Sequence, residues 1–170
     1  GGQGVGNKLL AELQTVDALI HVLRCFDNPN IPHSEGSIDP VRDMELVDLE
    51  LQVRDLDLVT RKLQRVEKLL KNGEKDNKRA FEVLSIYKEV LENMGNARDA
   101  KVSEEDKKYI QDIQLLTAKP IMYVCNVDDA SATTGNKYSD AVRDALKDNQ
   151  KMLIIAGKLE AEIAELEADD

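Results

Sequence analysis

The segment Asn126-Val127-Asp128-Asp129 carries residue types that can read a nucleotide base. It directly follows Lys119–Val127 (KPIMYVCNV), a nearly continuous apolar run that predicts a buried strand. Open α/β sheets bind ligands at the carboxyl ends of their strands. An Asn side chain offers a donor and an acceptor to a purine, and the carboxylate of Asp129 can accept hydrogen bonds from a base. By itself this four-residue segment is weak evidence for base recognition, because Asn and Asp at the end of a strand commonly mark a simple turn.

The glycine-rich start of the chain, GGQGVGNKLL, invites comparison with a phosphate-binding loop but fails its pattern. Asn7 stands where the pattern GxxxxGK[ST] requires Lys, and aligning Lys8 instead leaves Leu9 where Ser or Thr is needed. No predicted strand precedes it in the sequence. We therefore expect a flexible connection before a helix, with neither a backbone cradle for a triphosphate nor a hydroxyl ligand for Mg²⁺.

The histidines of the chain favour structural roles. His21 alternates with apolar neighbours inside a predicted strand, which is typical of a hydrogen-bonded core residue, because a general base must reach a cleft. His33, Ser34 and Asp39 have the residue types of a catalytic triad. Adjacent His and Ser in one loop seldom give triad geometry, which is built from parts distant in sequence. We therefore expect no catalytic residue within this chain.

A group of basic residues surrounds the point where two predicted helices meet. The chain has a net charge of −10, which argues against a general polyanion binder. Locally, however, eight cations outnumber the three acids Glu67, Glu74 and Asp76. A solvated helix surface and an arm that presents positive charge to RNA or another acidic partner both fit this pattern. The eight residues, called the basic cluster below, are Arg61, Lys62, Arg65, Lys68, Lys71, Lys75, Lys78 and Arg79.

Apolar spacing predicts the elements that position these groups. The predicted strands are Val16–Phe26, Lys119–Val127 and Lys151–Ala156, and the predicted short helices are Asn7–Thr15, Ser103–Thr117, Tyr138–Asp148 and Leu159–Leu166. Ser103, with Asp106 three residues later, resembles the start of a capping box. Strands that are apolar on both faces and separated by helices indicate a parallel sheet covered by helices.

A long helical pattern is inserted between the first two predicted strands. Asp39 can cap a helix that has Pro40 at its first position, and no Gly or Pro follows until after Asn72. Apolar residues recur at spacings of three and four, as in a coiled coil. Gly73 then turns the chain, and Glu74–Met94 repeats the spacing. The pattern predicts an antiparallel helical hairpin.

Composition indicates a soluble protein with an aliphatic core. The 170 residues are 42% hydrophobic but only 4% aromatic, so a sheet that stacks RNA bases on aromatic rings is not expected. Cys25 and Cys125 lie in apolar runs without CxxC spacing, which indicates reduced core thiols, and no metal site is expected. The chain has neither an apolar run of about 18 residues nor a signal-like start. We expect a cytoplasmic protein.

Four stretches together resemble the YchF/Obg-like ATPase family. They are GQGVGNKLL, VDALIHVLRCF, HSEGSIDPVRDMELVDLEL and KPIMYVCNVDD, and the likeness spans nearly the whole chain. The most specific part is His33–Asp43, with the pattern HxEGSxDPxRD. The resemblance implies an α/β fold, namely a partial P-loop NTPase (G domain) with parallel strands flanked by helices and an inserted antiparallel coiled-coil hairpin. It assigns residues 1–39 and 117–170 to the partial G domain and residues 40–116 to the insertion.

The resemblance also implies which residues contact the nucleotide. Asn126, Val127 and Asp129 match the base-specificity motif, while Ala156 and Gly157 fall at the last base-contacting loop of G domains. The family has NxxE at this motif and prefers ATP, whereas GTPases have NKxD. This chain departs from NxxE because Asp129 stands at the fourth position, and from NKxD because Val127 stands at the second. ATP is therefore favoured only by the family resemblance, and GTP stays open as the nucleotide. For an intact protein, the resemblance implies hydrolysis of the Mg²⁺-bound nucleotide and association with ribosomes or RNA.

This chain alone is expected to carry out less of the chemistry that the resemblance implies for an intact protein. The family's phosphate loop and switch segments lie before the matched region, so we expect this chain by itself not to hydrolyse nucleotide. In a G domain the phosphate-loop strand neighbours Val16–Phe26. Without it, that strand is expected to be an open edge that pairs with another copy. The alternative function is a non-enzymatic interaction module, in which a coiled-coil arm on an α/β base binds a ribosomal or protein partner.

Overall fold

The computed structural model describes residues 5–27, 37–147 and 149–156. In chain order the helices and strands are α1 (Asn7–Leu13), β1 (Leu19–Arg24), α2 (Pro40–Leu69), α3 (Lys75–Glu92), β2 (Ile121–Val127), α4 (Lys137–Ala145) and β3 (Lys151–Ala156). Short 3₁₀ segments cover Leu70–Asn72, Ala97–Asp99, Glu105–Ile113, Leu116–Ala118 and Asp129–Ser131. Among the described residues, no helix is both long and apolar enough to cross a membrane.

The three strands form one parallel sheet with β2 in the centre. This arrangement confirms the predicted α/β fold. β1 begins three residues later than the predicted strand Val16–Phe26. The backbone before β1 makes hydrogen bonds to a side chain. The ammonium group of Lys119 donates to the carbonyls of Gln14 and Val16, so these carbonyls are bound by a side chain and not by a neighbouring strand.

Residues 18–46 and 121–170 make one compact unit, whose described part contains the sheet. One face of the sheet is covered: Leu23, Tyr123, Cys125 and Val127 share a hydrophobic core with Met44 of α2 and Val142 of α4. On the other face Ile20 is 68% exposed and Leu153 52% exposed. Cys25 and Cys125 are both buried free thiols, as predicted. Hydrogen bonding to Cys125 and burial raise the pKa of the Cys25 thiol far above its ordinary value.

Residues 1–17 and 47–120 make the other unit, which is built on the two long helices. Its core joins Val59, Leu63 and Val66 of α2 with Ala80, Val83, Leu84, Tyr87 and Leu91 of α3. Gly73 turns the chain between the helices at φ 72°, a conformation that glycine adopts without strain. The helical hairpin is therefore present as predicted, and Asp39 accepts the N–H of Arg42 at 3.0 Å where α2 begins. Met94, predicted as the last apolar position, instead lies beyond α3 and is 71% exposed.

The segment predicted as a helix from Ser103 to Thr117 is 3₁₀ in two pieces, so that prediction was wrong in helix type. Ser103 does accept the N–H of Asp106 at 3.2 Å, as a cap would. The carboxylate of Asp106, however, binds Arg79 instead of closing the capping box. Asp55 also accepts the backbone N–H groups of Leu116 and Thr117, at 2.7 Å each, so these donors are fixed by a side chain.

The boundaries of the two compact units differ from the domain boundaries that the family resemblance implies. The predicted boundaries at residues 39/40 and 116/117 separate an insertion from a host domain, whereas the units reflect density of packing. The assignment of an insertion with those limits stays a prediction.

Candidate functional site

The carboxyl ends of the three strands lie side by side at one edge of the sheet. Asn126 on β2 pairs with Arg24 on β1 and with Ile155 on β3. The next residue, Val127, pairs with Ala156. Three of the predicted base-contacting residues are thus brought to the edge at which open parallel sheets bind ligands. Gly157, also predicted to contact the base, lies outside the described residues.

Asn126 is fixed on the central strand. Its carbonyl accepts the N–H of Cys25 at 2.8 Å, which extends the contact between β1 and β2 by one residue. Its side chain is fully buried, as is that of Val127. The Val127 side chain belongs to the core beneath the sheet, so only the backbone of this residue can face a ligand. Asp129, by contrast, is exposed and begins the 3₁₀ turn Asp129–Ser131.

The loop after β2 is held by hydrogen bonds within itself. The N–H of Ser131 donates to the carbonyl of Asp128 at 3.0 Å, and the N–H of Gly135 donates to the carbonyl of Ser131 at 2.8 Å. Hydrogen bonds from the Ser131 and Asn136 side chains lower the pKa of the Asp128 carboxyl group. Asp128 is therefore used to shape the loop, while the neighbouring Asp129 is left facing solvent.

Asn136 is a site residue that sequence reasoning missed. Its Oδ1 accepts the backbone N–H groups of Tyr138 and Ser139, both at 3.0 Å, and so caps α4. Its Nδ2 donates to the carbonyl of Cys25 at 2.7 Å and to Asp128 Oδ1 at 3.3 Å. The pair Asn136 and Ser139 is a capping-box signal that could have revealed the cap. No local signal points to Cys25, which lies 111 residues earlier.

The other predicted chemical residues are not brought to this edge. Gly1–Gly4 lie outside the described residues, and Gly6 is the residue before α1. His33 and Ser34 also lie outside the described residues, while Asp39 caps α2.

His21 is a half-buried residue whose ring lies 6.0 Å from that of Tyr123. Burial lowers the pKa of His21, and the nearby charge of Asp43 partly opposes this effect. The expected hydrogen bond is not found at Nδ1, which is buried and has no partner among the described residues. The environment therefore favours a neutral ring packed against an aromatic neighbour.

The basic cluster divides into paired and unpaired cations. Arg61 binds Asp57 at 3.1 Å, Lys62 binds Asp112 at 2.6 Å, and Arg79 binds Glu82 at 2.9 Å as well as Asp106. The other five are exposed and form no ion pair with any described residue: Arg65, Lys68, Lys71, Lys75 and Lys78. Hydrogen bonds from Arg79 lower the pKa of Asp106. Near the turn of the hairpin these five unpaired cations outnumber the three acids Glu67, Glu74 and Asp76, so the local charge is positive.

The described residues do not fit a magnesium–phosphate centre. No group of three or more His, Cys, Asp or Glu side chains that could hold a metal is found among them. Asp128, one of the two carboxylates after β2, already accepts hydrogen bonds from Ser131 and Asn136. The donor set at this edge suits the hydrogen bonds of a base, and no step of phosphate chemistry can be derived from it.

Known proteins resemble this chain in sequence and in fold. No protein-family model matches the chain. The ribosome-binding ATPase YchF of Bacillus subtilis is 40% identical over 172 residues, covering 99% of this chain and 47% of that protein. Obg-like ATPase 1 of Caenorhabditis elegans is 30% identical and covers 99% of this chain and 44% of its own length. The structure of the Schizosaccharomyces pombe YchF GTPase matches 90% of this chain and 43% of that chain with a TM-score of 0.75 at 27% identity.

The matched proteins share both sequence and fold with this chain. The chain spans about half the length of the curated relatives it matches. Its parallel sheet flanked by helices is the arrangement found in the matching YchF structure. The resemblance to the YchF/Obg-like ATPase family is thus confirmed over nearly the whole chain, which corresponds to about half of a YchF-type protein and has the fold of a partial P-loop GTPase domain.

Proposed function

We propose that this chain supplies the base-reading part of the nucleotide site of a ribosome-associated nucleoside triphosphatase, with ATP as the favoured nucleotide. The observation that carries the proposal is the motif Asn126–Asp129 at the carboxyl end of the central strand. The relatives named as ATPases support the nucleotide class. A relative named as a GTPase keeps guanine open.

Each residue of the motif has a distinct role in this proposal. The amide of Asn126 supplies a donor and an acceptor that suit either purine. The exposed carboxylate of Asp129 accepts the N–H groups of guanine, for which adenine has no equivalent pair on the same edge. Val127 and Ala156 contribute only backbone groups or apolar contact, together with Gly157. In this proposal other parts of an intact protein bind the phosphates and Mg²⁺ and carry out hydrolysis.

The proposal is tested by calorimetric binding of ATP and GTP to the Asn126→Ala and Asp129→Ala variants. Asn126→Ala is expected to weaken both nucleotides. Asp129→Ala is expected to weaken GTP about tenfold or more and to leave ATP unchanged, since a lost charged hydrogen bond contributes roughly 1.5 to 3 kcal/mol. Asp144→Ala removes a comparable exposed carboxylate from α4 and serves as the control. If neither motif variant changes either affinity, the site is misassigned.

A second function, binding to ribosomal RNA through the hairpin, is favoured by the five unpaired cations of the basic cluster. These cations are exposed near the turn of the hairpin, whereas the chain as a whole carries a charge of −10. General charge attraction to RNA is therefore ruled out by the sign of the net charge, and a local contact is required. The names of the bacterial relatives include ribosome binding, which supports the same proposal and a cytoplasmic location.

A further inference from the structure

Asn136 joins three stretches of chain that meet at the candidate base site. Its Oδ1 binds the first N–H groups of α4, and its Nδ2 binds the carbonyl of Cys25 after β1 and the carboxylate of Asp128 after β2. One amide side chain thus contacts the chain at four points. Tyr138 adds a second link of the same kind, because its hydroxyl donates to Asp27 at 2.7 Å.

The cap alone does not require asparagine. Ser, Thr and Asp cap helix N-termini about as well, because the cap needs only a side-chain oxygen that accepts backbone N–H groups. The contacts of Nδ2 to Cys25 and Asp128 need two N–H donors beside the capping oxygen, and among the good capping residues only Asn has an NH₂ group separate from its acceptor. The particular contribution of Asn136 is therefore the link between the helix and the two strand ends.

Gly135 sets the position from which Asn136 reaches the strands. Its φ of 76° lies in the region that favours glycine. A Cβ atom there would lie 2.6 Å from the Oγ of Ser139 and 3.1 Å from the Ile154 side chain. The backbone before the cap consequently packs directly against α4 and β3, so the amide of Asn136 approaches Cys25 from a fixed direction.

Asp128 transmits this constraint to the motif. It lies between Val127, which is fixed in the core, and Asp129, whose exposed carboxylate is proposed to read the base. Holding the Asp128 side chain from both Ser131 and Asn136 restricts the backbone that presents Asp129. Pre-organised polar groups bind more tightly than mobile ones because less conformational entropy is lost on binding.

We propose that Asn136 is a positioning residue for base recognition, whose side-chain NH₂ group fixes the segment Asp128–Asp129 relative to the ends of β1 and α4. The inference rests on the proposed function. The inference adds to the proposed function the prediction that a residue outside the motif, with no contact to the base itself, controls nucleotide affinity. Removal of the NH₂ group, with the cap kept intact, is the change that isolates this role.

Two substitutions keep the cap and remove the NH₂ group. Asn136→Ser retains a capping hydroxyl, and Asn136→Asp retains the capping oxygen but places a second carboxylate beside Asp128. Both variants are expected to keep α4, as judged by slow exchange of the Tyr138 and Ser139 amide protons. Both are expected to weaken binding of GTP about tenfold and to leave ATP nearly unchanged, because they act through Asp129. Asn136→Asp should weaken GTP binding more than Asn136→Ser, because like charges then lie next to each other.

A double-mutant cycle tests whether the effect passes through Asp128. Asp128→Ala leaves the cap untouched and is expected to weaken GTP binding by itself. Combined with Asn136→Ser it should add little, because residues that act through one contact are not additive. Calorimetric titration of ATP and GTP into all four proteins gives the coupling.

The outcomes separate this inference from the proposed function. If Asn126→Ala and Asp129→Ala change affinity but Asn136→Ser, Asn136→Asp and Asp128→Ala all bind like the parent, the positioning role is overturned and the nucleotide site stands. If none of the five changes affinity, the site assignment itself is wrong. Should both Asn136 variants fail to fold, Asp128→Ala decides alone, and unchanged affinity for that variant overturns the inference.

Discussion

The carboxylate of Asp55 holds Thr117 by two hydrogen bonds, accepting its backbone N–H at 2.7 Å and its hydroxyl at 2.6 Å. Asp55 is fully buried and also accepts the N–H of Leu116. The same hydroxyl of Thr117 accepts the N–H of Ala97 at 2.8 Å. One side chain of α2 thus anchors the segment that leads toward β2, and that segment anchors the turn after α3.

Replacement of Asp55 by Ala is expected to destabilise the protein by about 3 kcal/mol or more, because three donors lose their acceptor in a buried place. Urea unfolding followed by circular dichroism measures the change. Asp57→Ala is a suitable control, since Asp57 is an exposed carboxylate of the same helix that pairs with Arg61 on the surface. Equal stabilities for the two variants would contradict the structural role of Asp55.

The stability contributed by Asp55 should also depend on pH. Burial raises the pKa of Asp55 above the ordinary value of 3.8, and hydrogen bonds from Thr117 and Leu116 partly oppose this effect. A carboxyl group whose pKa is raised by folding contributes stability that is fully present below its unfolded pKa and lost as pH rises through the folded pKa. The difference in unfolding free energy between parent and Asp55→Ala should therefore shrink as pH rises from below 3.8 through the folded pKa. If the difference in unfolding free energy grows as pH rises over this range, the expected pH dependence is wrong.

The unpaired part of the basic cluster should govern binding to RNA. Replacing Arg65, Lys68 and Lys71 with Ala is expected to lower both affinity and the salt dependence of binding, by about 2 to 3 in the log–log slope if each cation neutralises one phosphate. Binding to ribosomes or RNA is titrated at several salt concentrations. Helix content should be unchanged, because the core residues of this stretch are Leu63 and Val66.

A matched control for this experiment removes the same charge elsewhere. Lys101, Lys147 and Lys151 are exposed and lie outside the basic cluster, so their triple Ala variant has the same net charge. It should bind like the parent. If both triple variants lose affinity equally, binding depends on total charge and the hairpin has no particular role.

The outer edge of β1 should pair with another copy of the chain. β1 has a neighbour on only one side within the described sheet, and Ile20 on this strand is 68% exposed. Strand edges of this kind pair with other strands unless they carry charge. Ile20→Lys should therefore reduce self-association measured by light scattering across a concentration series, and Val53→Lys, which replaces a 59% exposed residue of the helix α2, is the control. A strictly monomeric parent at high concentration would refute the prediction.

This chain by itself should not hydrolyse nucleotide. The residues proposed to contact the base are present, whereas the glycine-rich start departs from the phosphate-loop pattern GxxxxGK[ST], with Asn7 where Lys is required. Release of phosphate from ATP and GTP is measured with Mg²⁺, and the Asn126→Ala variant controls for contaminating enzymes. Turnover that persists in the purified chain and falls with Asn126→Ala would contradict the prediction.

The parts of the fold that were predictable are those with a local cause. Continuous apolar runs predicted the three strands, and Pro40 and Gly73 marked the start and the turn of the hairpin. The 3₁₀ form of Glu105–Ile113 and Leu116–Ala118 was not predictable, since their apolar spacing resembles that of an α-helix. In the second piece the backbone donors are held by Asp55, which is distant in sequence. Asn136 was missed for a similar reason: its contact with Cys25 joins residues 111 apart in sequence.

The pairing of β2 on both sides has a consequence for how the sequence can change in length. Five successive side chains from Tyr123 to Val127 are buried. Each residue from Tyr123 to Asn126 has a fixed partner on both neighbouring strands, and Val127 has one on β3. Adding or deleting one residue there would exchange the two faces of the strand. The amide of Asn126 would move to the face that packs against Met44 and Val142, and a valine or cysteine would take its place. Insertions and deletions among homologues should therefore be absent from residues 121–127. They should gather instead around the exposed glycine turn of the hairpin, where an added residue displaces no partner.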